Sequence, residues 1–246
     1  EAAEGGGLDV MSAGVALAWA TEATEKGLIG TAETLVPLGF GNAAAYREAI
    51  GHLARRSNEF YALLGSGTLN AARRYGGEGF ACVLGQEMAG YATGEAFFVS
   101  QALGLRHSHL DAGGYAFDQK QKEKDVAKAV DFLVADEAGR CLLTSMVACL
   151  FARGVYTEAR LAEALASVGY AALAAATGPL STHIQRERWR VRVATGYRPE
   201  DVPIPKRFRE VVTWKGPIDA DYLERLRVEY GRRIRQLAEP PPPSAS

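Results

Sequence analysis

The chain has 246 residues, 48% of them hydrophobic and 9% aromatic, with a formal net charge of −1. That length allows one large domain or two small ones with a genuine hydrophobic core. A charge near zero argues against a protein whose main task is gripping nucleic acid, and no apolar run is long enough to span a bilayer. No signal peptide opens the chain, whose first residue is Glu1. The expectations are therefore a trimmed or processed N-terminus and a reducing cytoplasm.

In chain order, Gly5-Gly6-Gly7 reads as a tight turn or a close backbone approach. Ser12 should start a helix with Val15, Trp19 and Ala23 on one face, closed by Gly27. Asn42 is a suitable N-cap for a second helix carrying Tyr46, Ile50 and Leu53. A third stretch from about Glu59 to Tyr75 should stop at Gly76-Gly77. The glycine-rich segment Gly85 to Tyr115 should be irregular around a short helix, Phe97 to Leu103, and such segments are where sites tend to be built.

Asp118 to Lys128 reads as a charged loop leading into an exposed helix, and a long apolar helix should then carry Cys141, Met146 and Cys149 to Phe151. Thr157 should cap a helix with Leu161, Leu165 and Val168 facing inward. The last helix, about Asp221 to Leu237, has Leu223, Leu226, Tyr230, Ile234 and Leu237 at helical spacing. No strand alternation of any length is present. The fold class is mostly α, with two packed helical lobes at 1–84 and 85–238 and a disordered tail at 239–246 containing four prolines.

Several residues could carry chemistry. Cys82, Cys141 and Cys149 cannot all pair and cannot supply four thiolates to one cluster. Taken alone, each is a small buried apolar residue. In the run Arg106-His107-Ser108-His109-Leu110-Asp111, extended backbone would point His107, His109 and Asp111 the same way. Those three could form an open metal site, a proton relay, or simply a hydrogen-bonded loop. Asp9 could be a capping or turn carboxylate. Arg186, Arg188, Arg190 and Arg192 around Trp189 read as a solvated face with one buried indole.

Together these residues resemble the aldehyde:ferredoxin oxidoreductase family. Glu4-x-x-Gly7-Leu8-Asp9-Val10-Met11-Ser12-Ala13-Gly14 is similar to the family's D-x-x-G-L-D … I-S-x-G, and Glu25-Lys26-Gly27-Leu28-Ile29 to E-K-G-(I/L)-(I/L). Val83-Leu84-Gly85-Gln86-Glu87 through Tyr91 resembles V-K-G-x-E-x-x-x-Y, and Arg106 to Asp111 the A-R-H-S-H-L-D of one branch. Thr144 to Phe151 aligns with D-S-L-G-L-C-x-F. Arg188-Trp189-Arg190-Val191, Gly196-Tyr197 and Pro205-Lys206-Arg207-Phe208 follow R-x-F-N-x-R-x-G-F … L-P-x-R-F. The match is collinear from about Glu4 to Ala238.

The resemblance implies the helical C-terminal domains of an enzyme that oxidises an aldehyde to a carboxylic acid. A tungsten- or molybdenum-bispterin and a [4Fe–4S] cluster would be its cofactors, and ferredoxin or a similar carrier its electron acceptor. Cys149 becomes the fourth cluster ligand, the other three coming from a segment or subunit outside this sequence. His109 becomes the proton-transfer residue, oriented by His107 or Asp111. Glu4 and Asp9 become contacts to one pterin, and Thr144 stands where an aspartate contacts the other. Val147-Ala148 replaces the family's Gly-Leu, and Leu84 its lysine. A homo-oligomer is compatible with this reading. The alternative is a non-catalytic helical interaction module descended from the family.

Overall fold

A computed structural model of the chain describes residues 1–81, 84–88, 90–106 and 108–240. Cys82, Val83, Ala89 and His107, with residues 241–246 of the tail, lie outside the described residues. The chain is mostly α, as the composition predicts. Its only strands among the described residues are β1 (Val212–Thr213) and β2 (Gly216–Pro217), antiparallel with Val212 opposite Pro217. No described helix is long and apolar enough to cross a membrane. The residues form two compact units, 1–90 with 205–207 and 91–204 with 208–246.

The first unit begins with α1 (Ala2–Gly5) and is organised around α2 (Val10–Glu25). The start of α2 is two residues earlier than Ser12, because Asp9 is the N-cap and accepts the Ser12 N–H at 2.7 Å. Its buried face is Ala13, Ala16, Leu17, Trp19, Ala20 and Ala23, with Val15 only half-buried. The alanines leave room for close neighbours. They are filled by α4 (Ala43–Arg55), which follows the one-turn helix α3 (Thr31–Thr34), and by the aromatic rings after it. Asn42 caps α4, as its side chain predicts, by accepting the Ala45 N–H.

The expected single helix from Glu59 to Tyr75 is broken into α5 (Glu59–Gly65) and α6 (Thr68–Tyr75). Gly67, at φ +125°, turns the backbone where a side chain would be strained. Phe60 and Tyr61 then face the core, Trp19 stacking on Phe60 with centroids 6.2 Å apart. The Tyr61 hydroxyl donates to the Thr34 carbonyl at 2.5 Å. A last one-turn helix, α7 (Glu78–Ala81), closes this run.

In the second unit α8 (Glu95–Leu103) is buried along its whole length. It is packed by α9 (Gly114–Lys120), α10 (Val126–Ser145) and α15 (Ala220–Ala238), while α13 (Thr177–Ala194) packs in turn on α10 and α15. Asp118 corrects the expected charged loop. It lies buried in α9 and accepts the Phe97 N–H at 2.8 Å and the Ala96 N–H at 3.3 Å, so it caps α8 from a neighbouring element. The helix after Asp125 is likewise not exposed: α10 buries Ala129, Val130, Leu133, Cys141 and Leu142.

Two further expectations fail nearby. The long helix stops at Ser145, and Phe151 sits 79% exposed in the 3₁₀ turn Leu150–Ala152. On α11 (Glu158–Ser167), which Thr157 caps as its side chain predicts, Leu161 is buried, but Val168 beyond its end is 68% exposed. α12 (Ala171–Ala175) and α14 (Lys206–Glu210) are short connections, and α15 buries all five apolar residues read from its spacing.

The turn after α10 is strained. Val147 has φ +57° and is 94% exposed, so a β-branched side chain occupies left-handed backbone without any packing to compensate. Val147→Gly is expected to raise unfolding stability by about 1 kcal/mol, the left-handed penalty less glycine's added chain entropy, or a few degrees in Tm. Thermal unfolding of the two proteins checks it, and a destabilised glycine variant would contradict the strain.

Candidate functional site

The segment 104–113, between α8 and α9, carries the histidine-rich run. Its residues 108–111 do not adopt extended backbone. The Asp111 N–H donates to the Ser108 carbonyl at 3.0 Å, closing a turn, so the strand-like alternation that would align alternate side chains is absent. Buried Asp111 is held by Arg106, through its backbone N–H at 2.7 Å and its Nε and Nη2 at 2.8 Å.

His109 is buried, with its ring 5.0 Å from that of Tyr91, which stacks on Tyr115 at 5.2 Å. Beneath these rings lies Arg140 of α10. Its Nη1 donates to the His109 and Leu110 carbonyls at 3.1 and 3.3 Å, and its Nη2 to the Tyr115 hydroxyl at 3.3 Å. Its Nε pairs with Asp136 at 2.5 Å, and Asp136 also accepts the Gly113 N–H at 2.6 Å. One ion pair on α10 therefore fixes both ends of the turn that bears His109. Burial and the Arg140 charge push the imidazole below its ordinary pKa, against a weaker opposing pull from Asp111. His109 is then neutral at neutral pH, able to accept a proton.

The other singled-out residues lie apart from this turn in the chain. Cys149 follows α10, exposed and unpaired, at the N-cap of the 3₁₀ turn. Thr144 is exposed, its hydroxyl donating back to the Arg140 carbonyl at 2.8 Å. Glu4 is exposed on α1 and Asp9 caps α2 in the first unit. Cys141 is buried, as its apolar neighbours suggest, with its thiol pushed up to about 11 mainly by burial. Among the described residues no group of three or more His, Cys, Asp or Glu could hold a metal ion.

The family model described as "Aldehyde ferredoxin oxidoreductase, domains 2 & 3" matches residues 1–233. The chain belongs to the aldehyde ferredoxin oxidoreductase family. No curated protein matches it. Within an aldehyde ferredoxin oxidoreductase framework, the D-x-x-G-L-C-like segment falls on the turn from Thr144 to Cys149, where Val147 adopts the left-handed backbone that the motif's glycine would accept freely.

Glu137 was not singled out from the sequence, yet it is the most buried charge in this family member's second unit. Its Oε2 accepts from Gln185 Nε2 and Trp189 Nε1, both at 2.7 Å, and Tyr230 Oη lies 3.4 Å from Oε1. The available signal was position: Val130, Leu133, Glu137 and Cys141 fall at helical spacing, which puts a charge on an apolar face. The arginines around Trp189 are also not a purely solvated face. Arg188 donates to the Cys141 sulfur at 3.3 Å, and Arg192 donates to the Leu105 carbonyl.

Burial raises the Glu137 carboxyl to about 7 from 4.5 despite its donors. With the folded value above the unfolded one, its contribution to stability is complete below about 4.5 and lost as pH rises through about 7. Glu137→Gln, which keeps an acceptor for Trp189, is expected to match wild type near pH 5. At pH 8 it should be more stable, by on the order of 2 kcal/mol. Glu137→Leu strands the indole N–H and should cost roughly 2–4 kcal/mol at either pH. Urea unfolding at the two pH values tests both, and equal wild-type-to-Gln differences at pH 5 and 8 would remove the assigned shift.

Proposed function

We propose that this chain supplies the helical part of a tungsten- or molybdenum-bispterin oxidoreductase. Its two units would correspond to the two family domains matched. The enzyme would oxidise an aldehyde to a carboxylic acid, with electrons leaving through a [4Fe–4S] cluster to ferredoxin or a similar carrier. The observation that carries the reading is the free, exposed thiol of Cys149, at the position where the family's motif ends in cysteine.

The residues fit the cofactors unevenly. An exposed thiol outside the packed core is able to complete a cluster whose three other cysteines come from another segment or subunit. Asp9 and Glu4 are exposed carboxylates, suited to accept N–H groups of one pterin. Thr144 does not reproduce an aspartate: its proton is given to its own helix, and a neutral hydroxyl is a weaker acceptor. When bound, the pterin-held metal would supply the oxygen-transfer and two-electron chemistry. His109, neutral and held by the Arg140-clamped turn, would take or give the substrate's proton. Asp111 is engaged by Arg106, and among the described residues Tyr91 and Arg140 hold His109.

Thr144 and Val147, standing where the family motif has Asp and Gly, favour the second reading, a helical interaction module without the family chemistry. Metal analysis of the native complex, purified without oxygen, separates the two. The catalytic reading expects tungsten or molybdenum with about four iron atoms per cluster. Cys149→Ser should lose most of the iron, whereas His109→Gln should keep the metals and lower aldehyde oxidation by about 10²–10⁴-fold. Absence of all three metals, or iron content indifferent to Cys149→Ser, leaves the interaction module.

A further inference from the structure

A cavity of about 370 Å³ opens in the second unit between α10, the 150–158 segment, α11 and α13, near the small end of the range for ligand sites. The apolar part of its lining is Leu142, Leu143, Leu150 and Leu161, which belong to one apolar cluster. Its polar lining carries two guanidiniums, Arg140 and Arg153, two carboxylates, Asp136 and Glu158, and the hydroxyl of Ser181.

The two arginines converge. Arg140 Nη2 and Arg153 Nη2 both donate to the single phenol oxygen of Tyr115, at 3.3 and 3.2 Å. Two like charges brought onto one neutral acceptor repel each other, and an anion beside them offsets that cost. Asp136 answers Arg140 at 2.5 Å. Arg153 donates only to that phenol and to the Leu150 carbonyl at 3.1 Å, and has no ion-pair partner among the described residues. Glu158 also faces the cavity, but its Oε1 accepts the Thr177 hydroxyl at 3.3 Å and its place in the first turn of α11 favours a negative charge there. The lining thus holds, beside its leucines, one guanidinium without an ion-pair partner among the described residues.

We propose that this cavity binds a small organic acid, its carboxylate on Arg153 beside the Tyr115 hydroxyl and its apolar body against Leu142, Leu150 and Leu161. Arginine presents two parallel N–H donors that match a carboxylate, and the leucines reward a branched hydrocarbon body rather than a bare oxyanion. The inference uses side chains of the second unit alone, so it stands or falls independently of any metal or aldehyde oxidation.

Isothermal titration of the full-length protein with isovalerate, isovaleramide and inorganic phosphate tests it, with no activity read out. Isovalerate should bind at least about tenfold more tightly than its neutral amide, a difference of one charge-assisted hydrogen-bonded pair. Phosphate, lacking an apolar body, should bind more weakly than isovalerate. Arg153→Gln, a change at an exposed side chain that leaves the core intact, should abolish the preference for the acid over the amide. No isovalerate binding, equal binding of acid and amide, tighter binding of phosphate, or an isovalerate affinity unchanged in Arg153→Gln would each overturn the proposal.

Discussion

The second unit depends on one buried carboxylate. Glu137 sits where α10 faces both α13 and α15, and it accepts hydrogen bonds that would otherwise leave the Trp189 indole and the Gln185 amide unmet in the core. A buried ion without donors would be expelled, and buried donors without an acceptor are nearly as costly. Each group therefore makes the other tolerable. Tyr230 adds a contact from α15, so the three long helices share a single polar point inside an otherwise apolar core.

From that fixed α10 the site follows by helical geometry. Asp136, Glu137 and Arg140 lie within just over one turn, so anchoring Glu137 inward sets the direction of the other two. Arg140 then binds the carbonyls of His109 and Leu110, while Asp136 takes the Gly113 N–H. A loop that buries only Leu105 and Ala112 as apolar anchors is thereby also held by charge from a neighbouring helix. Burial and, after it, the Arg140 charge hold the His109 imidazole below its ordinary pKa, so the contact that positions the turn also adds to the shift.

The two ends of α10 contrast in their strain. At its start Asp125 caps the helix with an ordinary side-chain bond to the Lys128 N–H. At its end Val147 takes left-handed backbone with its side chain in solvent, next to the exposed thiol of Cys149. Exposed apolar residues cluster in this region, with Phe151, Val155 and Val168 among them. The chain spends its packing on the Glu137 side of the helix and leaves the Cys149 side open, which is the arrangement a thiol needs if it is to meet a group from elsewhere.

The sequence by itself determined the helical class, the caps at Asn42 and Thr157, and the inward stripe of α15, because caps and apolar spacing are local properties of the chain. Motif order was also enough to indicate the family. It did not determine the break at Gly67, the early start of α2 at Val10, or the end of the long helix at Ser145, where single backbone conformations outweigh propensity. Nor could alternation in Arg106 to Asp111 be read as side-chain direction, since a turn replaces the strand on which that rule depends. Asp118 reads as part of a charged loop, and Glu137 and Arg140 are not singled out by the sequence. Only the tertiary structure placed them in the core, because each is stabilised by partners more than twenty residues away that no local pattern connects to it.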